Sequence, residues 1–187
     1  MTTATWTLNR AELAHICKWV CADKARRNLN VVAFCADGGI LATDGRAMIY
    51  VGEKYAPSDD SPPWTVPLAD VVAATKIAQS AKSVIVITIT PHFAHFASGG
   101  AEMTVALSHE SFLPVSEIFT DQPLSLDDPH IAPKYLARVG ELGKLLGVRQ
   151  WRQRATVRCG PILFTHSPLV ARDSLALWTA AVMPCRP

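Results

Sequence analysis

One arrangement of apolar and polar positions recurs along this chain, a 3.6-residue periodicity followed by short alternating runs. Its first occurrence predicts a helix from Asn9 to Asp23, with Asn9 as the cap. Leu13, Ile16, Cys17, Val20 and Cys21 form the apolar stripe, and His15 and Lys18 fall on the other face. After the Arg26-Arg27-Asn28 loop, two strands are expected. Asn30 to Ala36 is an apolar run that turns at Asp37-Gly38-Gly39, a hairpin signal. The second occurrence predicts a helix from Pro67 to Gln79, with Pro67 in the first turn, Leu68, Val71, Val72 and Thr75 inward and Lys76 opposite. Strands follow at Ser83–Thr90, Pro91–Ser98 and Glu102–Ser108, with Gly99-Gly100 as a turn. The third predicts a helix over Pro133–Leu146, with Leu136, Val139, Leu142 and Leu146 inward and Lys134 and Arg138 outward. Strands are expected at Ala155–Cys159, Pro161–His166 and Ser174–Met183.

The repeat has a period near sixty residues. A proline-rich polar connector, Tyr55 to Pro63, cannot continue a sheet and separates the first copy from the second. The expected class is therefore α+β, built from three helix-plus-antiparallel-sheet units. Composition agrees with a globular chain: of 187 residues, 49% are hydrophobic and 18% charged, and no charge excess favours disorder. No apolar run reaches the ~18–20 residues of a membrane-spanning helix. Met1 to Trp6 lacks a secretory pattern, so a cytoplasmic protein is expected. Five cysteines, Cys17, Cys21, Cys35, Cys159 and Cys185, sit in apolar patterns and suit reduced core thiols.

Two segments carry a more specific signal, Ala42-Thr43-Asp44-Gly45-Arg46-Ala47-Met48 and Ala181-Val182-Met183-Pro184-Cys185-Arg186. Together they resemble the bacterial sliding clamp family, the beta subunit of the replicative DNA polymerase. There a Thr-Asp-Gly-His-Arg-Leu-like segment and a C-terminal Val-Met-Pro-Met-Arg-like segment meet at one peptide-binding cleft. Val66-Pro67 and the Phe112-to-Phe119 segment add to the likeness. The resemblance implies a DNA-clamp fold of one and a half domains, with residues 1–122 a complete domain of two half-units and 123–187 a half-domain like the end of the last domain. Family rings contain twelve half-units, so a chain with three would need four copies to close. Such a reduced clamp would suit a phage or plasmid.

The same resemblance implies the site residues. Thr43, Gly45, Arg46 and Met48 would form one wall of the cleft, Val182, Met183, Pro184 and Arg186 the other, and Ile118 would lie near its floor. The partners implied are double-stranded DNA, bound without reading sequence, a DNA polymerase, clamp-loader-type peptides and further copies of the chain. Methionine suits a surface serving several partners. Read without the resemblance, Met48 and Met183 fit ordinary core positions and Asp44-Gly45 an ordinary turn. The chain departs from the family at Arg46-Ala47, Cys185, Leu113 and Glu117.

For DNA, the candidates are Lys18, Lys76, Lys134 and Arg138 on helix faces, with Lys82 and Lys24, Arg26 and Arg27 near helix ends. These would neutralise phosphates in a salt-sensitive way. The net charge of +2 supplies no general pull, so placement decides. Asp59-Asp60 and Asp127-Asp128 are adjacent carboxylates in connectors without a His or third acid, and His92 and His95 lack a ligand-spaced Cys pair; no metal or other cofactor is expected. Arg149, Arg152, Arg154 and Arg158 around Trp151 read as a charge-protected strand edge or a contact for nucleic acid or a partner. No nucleophile elbow or phosphate loop appears, so a non-enzymatic protein is expected. Two functions remain: a processivity factor that encircles DNA, and a clamp-like module that sequesters clamp-binding peptides or modulates a host clamp without encircling.

Overall fold

The computed structural model describes residues 3–52, 64–113, 131–148, 151–155, 162–165 and 177–183. In chain order the elements are β1 (Ala4–Asn9), α1 (Arg10–Cys17), β2 (Val31–Phe34), β3 (Ile40–Thr43), β4 (Ala47–Gly52), β5 (Trp64–Pro67), α2 (Leu68–Thr75), β6 (Val84–Ile89), β7 (Phe93–Ser98), β8 (Ala101–Ala106), α3 (Pro133–Leu146), β9 (Arg152–Ala155), β10 (Ile162–Thr165) and β11 (Leu177–Val182).

Two antiparallel sheets result, one of order β1-β6-β7-β8 and one of order β5-β2-β3-β4-β11-β10-β9. Each of the first two helices is preceded by a strand that joins the other unit's sheet: β1 pairs with β6, and β5 with β2. This exchange ties the first two repeats together. The third repeat joins through β11, which pairs with β4 over Leu177–Val182 and makes the larger sheet continuous from β5 to β9.

The main core lies between the sheets and the helices. Trp19, Phe34, Phe96 and Trp178 are fully buried in it with Leu13, Ile16, Val71, Val139 and Leu142. Truncating an aromatic of this kind to alanine costs ~3–5 kcal/mol. β4 is buried on both faces: Ala47, Ile49 and Val51 enter the main core, while Met48 and Tyr50 join Ala33, Cys35, Leu41, Leu163 and Ala181 on the opposite side, where Phe112 packs on them. A continuous apolar run suits a strand covered on both faces.

Several expectations need correction. α1 is capped by Asn9, whose side chain accepts the Glu12 amide at 2.9 Å while Glu12 returns the bond to the Asn9 amide at 2.8 Å. The helix ends at Cys17 rather than Asp23, because the Cys21 amide bonds the carbonyls of Leu29 and Thr43 instead of continuing the helix. His15, expected on the polar face, is buried against Trp19. α2 ends at Thr75 and places Val71, Ala74 and Thr75 inward, leaving Val72 38% exposed. In α3 the inner stripe starts at Tyr135 rather than Leu136, which is 44% exposed one step around the helix. β1, β4 and β5 were not anticipated; β9 begins earlier than expected, at Arg152. The connector 55–63 lies outside the described residues.

Candidate cleft at the seam of the third repeat

The turn joining β3 to β4 is built by its own side chains. The Thr43 hydroxyl donates to the Ala47 carbonyl at 2.8 Å and accepts the Gly45 amide at 3.0 Å. Asp44 Oδ1 accepts the amides of Arg46 at 3.0 Å and Ala47 at 2.9 Å. Gly45 sits at φ 85, a conformation that a side chain would strain, with Leu29 packed close beneath it.

β11 runs up to this turn. Val182 stands opposite Ala47 in the β4 register, and the Met183 amide donates to the Arg46 carbonyl at 2.8 Å. The two segments singled out from the sequence are therefore adjacent. Their side chains divide sharply: Thr43, Met48 and Val182 are buried, whereas Gly45, Arg46 and Met183 are exposed, Met183 by 42%. Among the described residues of the two segments, the turn and Met183 are what faces outward. Ile118, Pro184 and Arg186 lie outside the described residues.

A partly buried ion pair fastens α3 to the same turn. Arg138 Nη1 donates to Asp44 Oδ2 at 2.9 Å, with side-chain exposures of 27% and 15%. The guanidinium also lies 6.0 Å from the Trp19 ring centre and 5.4 Å from that of Tyr135. Sequence reasoning passes over Asp44, because Asp-Gly reads as turn chemistry alone and its partner is 94 residues away.

α1 packs against both α2 and α3, so the helices form one layer on the sheets. Lys18, at the end of α1, donates to Glu141 Oε2 at 2.8 Å, which holds the Glu141 carboxyl below its ordinary range. Lys134 is exposed and reaches over Tyr135 at 4.8 Å. Lys76 and Lys82 are exposed at and beyond the end of α2, and Lys24, Arg26 and Arg27 are exposed after α1, with Arg27 3.9 Å from Glu110. Among the proposed phosphate contacts, Lys18 and Arg138 thus already face carboxylates, while Lys76, Lys82 and Lys134 have none within ion-pair distance among the described residues.

Beneath the Lys18–Glu141 contact, His15 is held neutral, its pKa lowered to about 4 chiefly by burial and then by Lys18. Burial raises the Cys17 and Cys35 thiols to about 12, which makes them poor nucleophiles. Cys159 and Cys185 lie outside the described residues, as do both Asp pairs' connectors. A separate concavity of about 630 Å³ between β5 and the β7–β8 end is lined by Trp64, His92, Phe93, Leu107, His109 and Glu110. No three potential metal ligands cluster among the described residues.

Searches of family models and of curated proteins find no match for this chain. Solved structures do match. The DNA polymerase III subunit beta of Pseudomonas aeruginosa aligns over 98% of this chain and 67% of its own, with a TM-score of 0.68 and 12% identity. The sliding clamp of Caulobacter crescentus aligns over 99% and 66%, with a TM-score of 0.68 and 14% identity. The fold is that of the sliding clamps. A third clamp, from Bartonella birtlesii and bound to griselimycin, aligns at a TM-score of 0.64 and 15% identity over 98% of this chain and 66% of that one. The chain spans about two-thirds of the length of these clamps. No helix among the described residues is long and apolar enough to cross a membrane.

Proposed function

We propose that this chain is a non-catalytic, clamp-type processivity factor: it encloses duplex DNA as an oligomer and tethers a polymerase or loader peptide at the seam between β4 and β11. Residues 1–122 act as a complete clamp domain and 123–187 as a half-domain. The single observation that carries the reading is the Met183–Arg46 hydrogen bond at the end of the β4–β11 ladder, which brings the exposed Met183 beside the Asp44-Gly45-Arg46 turn. An apolar peptide side chain would lie on Met183 and find the backbone of Gly45 approachable. Pro184, Arg186 and Ile118 complete the cleft in this proposal. Lys76, Lys82 and Lys134 are the cations free to meet phosphates, with Lys18 and Arg138 contributing only as their carboxylate partners release them.

Retention on DNA tests the encircling part. The protein should remain on a nicked circular plasmid through gel filtration at moderate salt, and fall off when the plasmid is linearised. Equal loss from both forms refutes encirclement. Titrating a labelled clamp-binding peptide tests the cleft, with Met183→Ala expected to weaken binding about tenfold for one lost buried apolar contact.

One observation favours the second reading, a non-encircling module. The seam is completed within a single chain, so the cleft needs no ring. In that case peptide binding depends on Met183 while DNA retention is absent, and the protein acts by competing for clamp-binding peptides.

A further inference from the structure

β5 is the outermost strand of the seven-stranded sheet, with β2 and β3 between it and β4. The concavity of about 630 Å³ beside it is therefore displaced from β4 by about three strand spacings, ~14 Å, and none of its lining residues belongs to the seam that holds Met183. A volume of this size falls within the range of small-ligand sites.

Its walls are fastened to one another. The Ser108 amide donates to the Thr65 carbonyl at 2.7 Å, and the Thr65 hydroxyl lies 3.2 Å and 3.1 Å from the carbonyls of Ser108 and Glu110. On the other side the Leu107 amide donates to the His92 carbonyl at 3.0 Å, and the Ser108 hydroxyl accepts the Glu110 amide at 3.2 Å. Residues 107–110 are thus held to β5 and to the start of β7, so the concavity is preformed and a guest loses little to ordering it. With these backbone groups engaged, recognition falls to side chains.

Two aromatic rings and one carboxylate stand out among them. Trp64 is half-buried, set edge-on to Trp6 at 6.2 Å. Phe93 is 52% exposed, and its cross-strand neighbour Ala106 is too small to cover the ring. Glu110 is the single carboxylate of the lining, which holds no lysine or arginine. We propose that this concavity receives an arginine side chain from a peptide segment of a partner protein, with the guanidinium against the Trp64 and Phe93 rings and paired with the Glu110 carboxylate.

Arginine answers all three groups at once, because its planar cation stacks on aromatic faces and presents a fork of donors to a carboxylate. A purely apolar guest would strip water from Glu110 and leave its charge unpaired, and a phosphate or carboxylate would meet a like charge there. The chain itself shows that a guanidinium reaches this carboxylate: Arg27 Nη1 lies 3.9 Å from Glu110 Oε1. That distance is too long for a hydrogen bond, and with the Arg27 side chain 79% exposed the contact contributes little, so a guest displaces it readily. The site goes beyond the proposed function and does not rest on it.

Titration followed by proton–nitrogen NMR at constant ionic strength tests the assignment, with a capped Gly-Arg-Gly peptide as the probe. The Trp64 indole and Glu110 amide signals should shift with a Kd on the order of 1–10 mM, as suits a single anchoring side chain. The same peptide with citrulline in place of arginine, similar in shape and uncharged, should bind at least about fivefold more weakly. Phe93→Ala and Glu110→Gln alter partly exposed side chains, so each should keep the wild-type circular dichroism spectrum and weaken the arginine peptide about threefold or more. Arg27→Ala removes the competing guanidinium and should bind the peptide at least as tightly as wild type. No shift at about 50 mM peptide, equal binding of the citrulline peptide, or a complex indifferent to both Phe93 and Glu110 overturns the inference. So does weaker binding in Arg27→Ala, which would place the cation of the site on the protein. Displacement of the peptide by a single-stranded oligothymidine overturns it too, because the concavity would then be a base-stacking site.

Discussion

Removing Arg138 should loosen the third repeat from the rest of the chain. Its guanidinium makes a 2.9 Å charge-assisted bond to Asp44 with both partners mostly shielded from solvent, and it lies near the rings of Trp19 and Tyr135. A hydrogen bond between charged groups contributes ~1.5–3 kcal/mol, and partial exposure places this one near ~1–2. The ring contacts add ~0.5–1 kcal/mol. Arg138→Ala should therefore cost about 1.5–3 kcal/mol, which in a chain of this size lowers Tm by about 3–12 °C. Asp44→Asn isolates the pair, because the amide oxygen still accepts the Arg46 and Ala47 backbone donors. Thermal melts of wild type, both single variants and the double variant give the coupling, expected at about 1 kcal/mol or more. If the two single effects simply add, or if Arg138→Ala melts within about 1 °C of wild type, the ion pair does not fasten α3 to the turn.

Gly45→Ala places a side chain at φ 85 with Leu29 3.1 Å from the new carbon, and should destabilise by about 1–2 kcal/mol in urea denaturation. Asn9→Ala removes the side-chain acceptor of the Glu12 amide in the α1 capping box and should cost about 1 kcal/mol in the same assay. For His15 the sign follows from a folded pKa near 4 against an ordinary value of 6.5: the unfolded chain takes up the proton first, so stability is full above pH 6.5 and declines as pH falls toward 4. Comparing His15→Phe with wild type across that window should show a shallower decline in the variant; parallel curves would count against a buried neutral histidine.

The parts of the fold that were legible in the sequence are those set by local chemistry. α3 was predicted with its observed ends, because Pro133 opens it and Gly147 follows it, and β6 to β8 were visible as β-branched or alternating runs around Gly99-Gly100. β1 and β5 escaped because each is a short lead-in to a helix whose pairing partner belongs to another repeat. No pattern within six residues of Ala4–Asn9 announces β6. The stripes of α2 and α3 slipped by one position for a related reason: hydrophobicity alone treats Val72 as equal to Val71, and ranks Leu136 above Tyr135, while the neighbouring elements choose between them.

The seam shows the same division from the other side. Resemblance brought the 43–48 and 181–186 segments together, and the β4–β11 ladder places residues 46–48 beside 181–183, yet it buries Met48 and Val182 and exposes Met183. Period-two alternation explains the split between Val182 and its neighbours only when both faces of the sheet are known to be covered. The sequence could not supply that, because Phe112 and the second apolar cluster come from four separate stretches of chain. A motif on a doubly buried strand therefore leaves only its backbone and its last residue for the surface. The peptide-binding reading consequently rests on Met183 and the turn, and a variant of Met48 would report on folding instead.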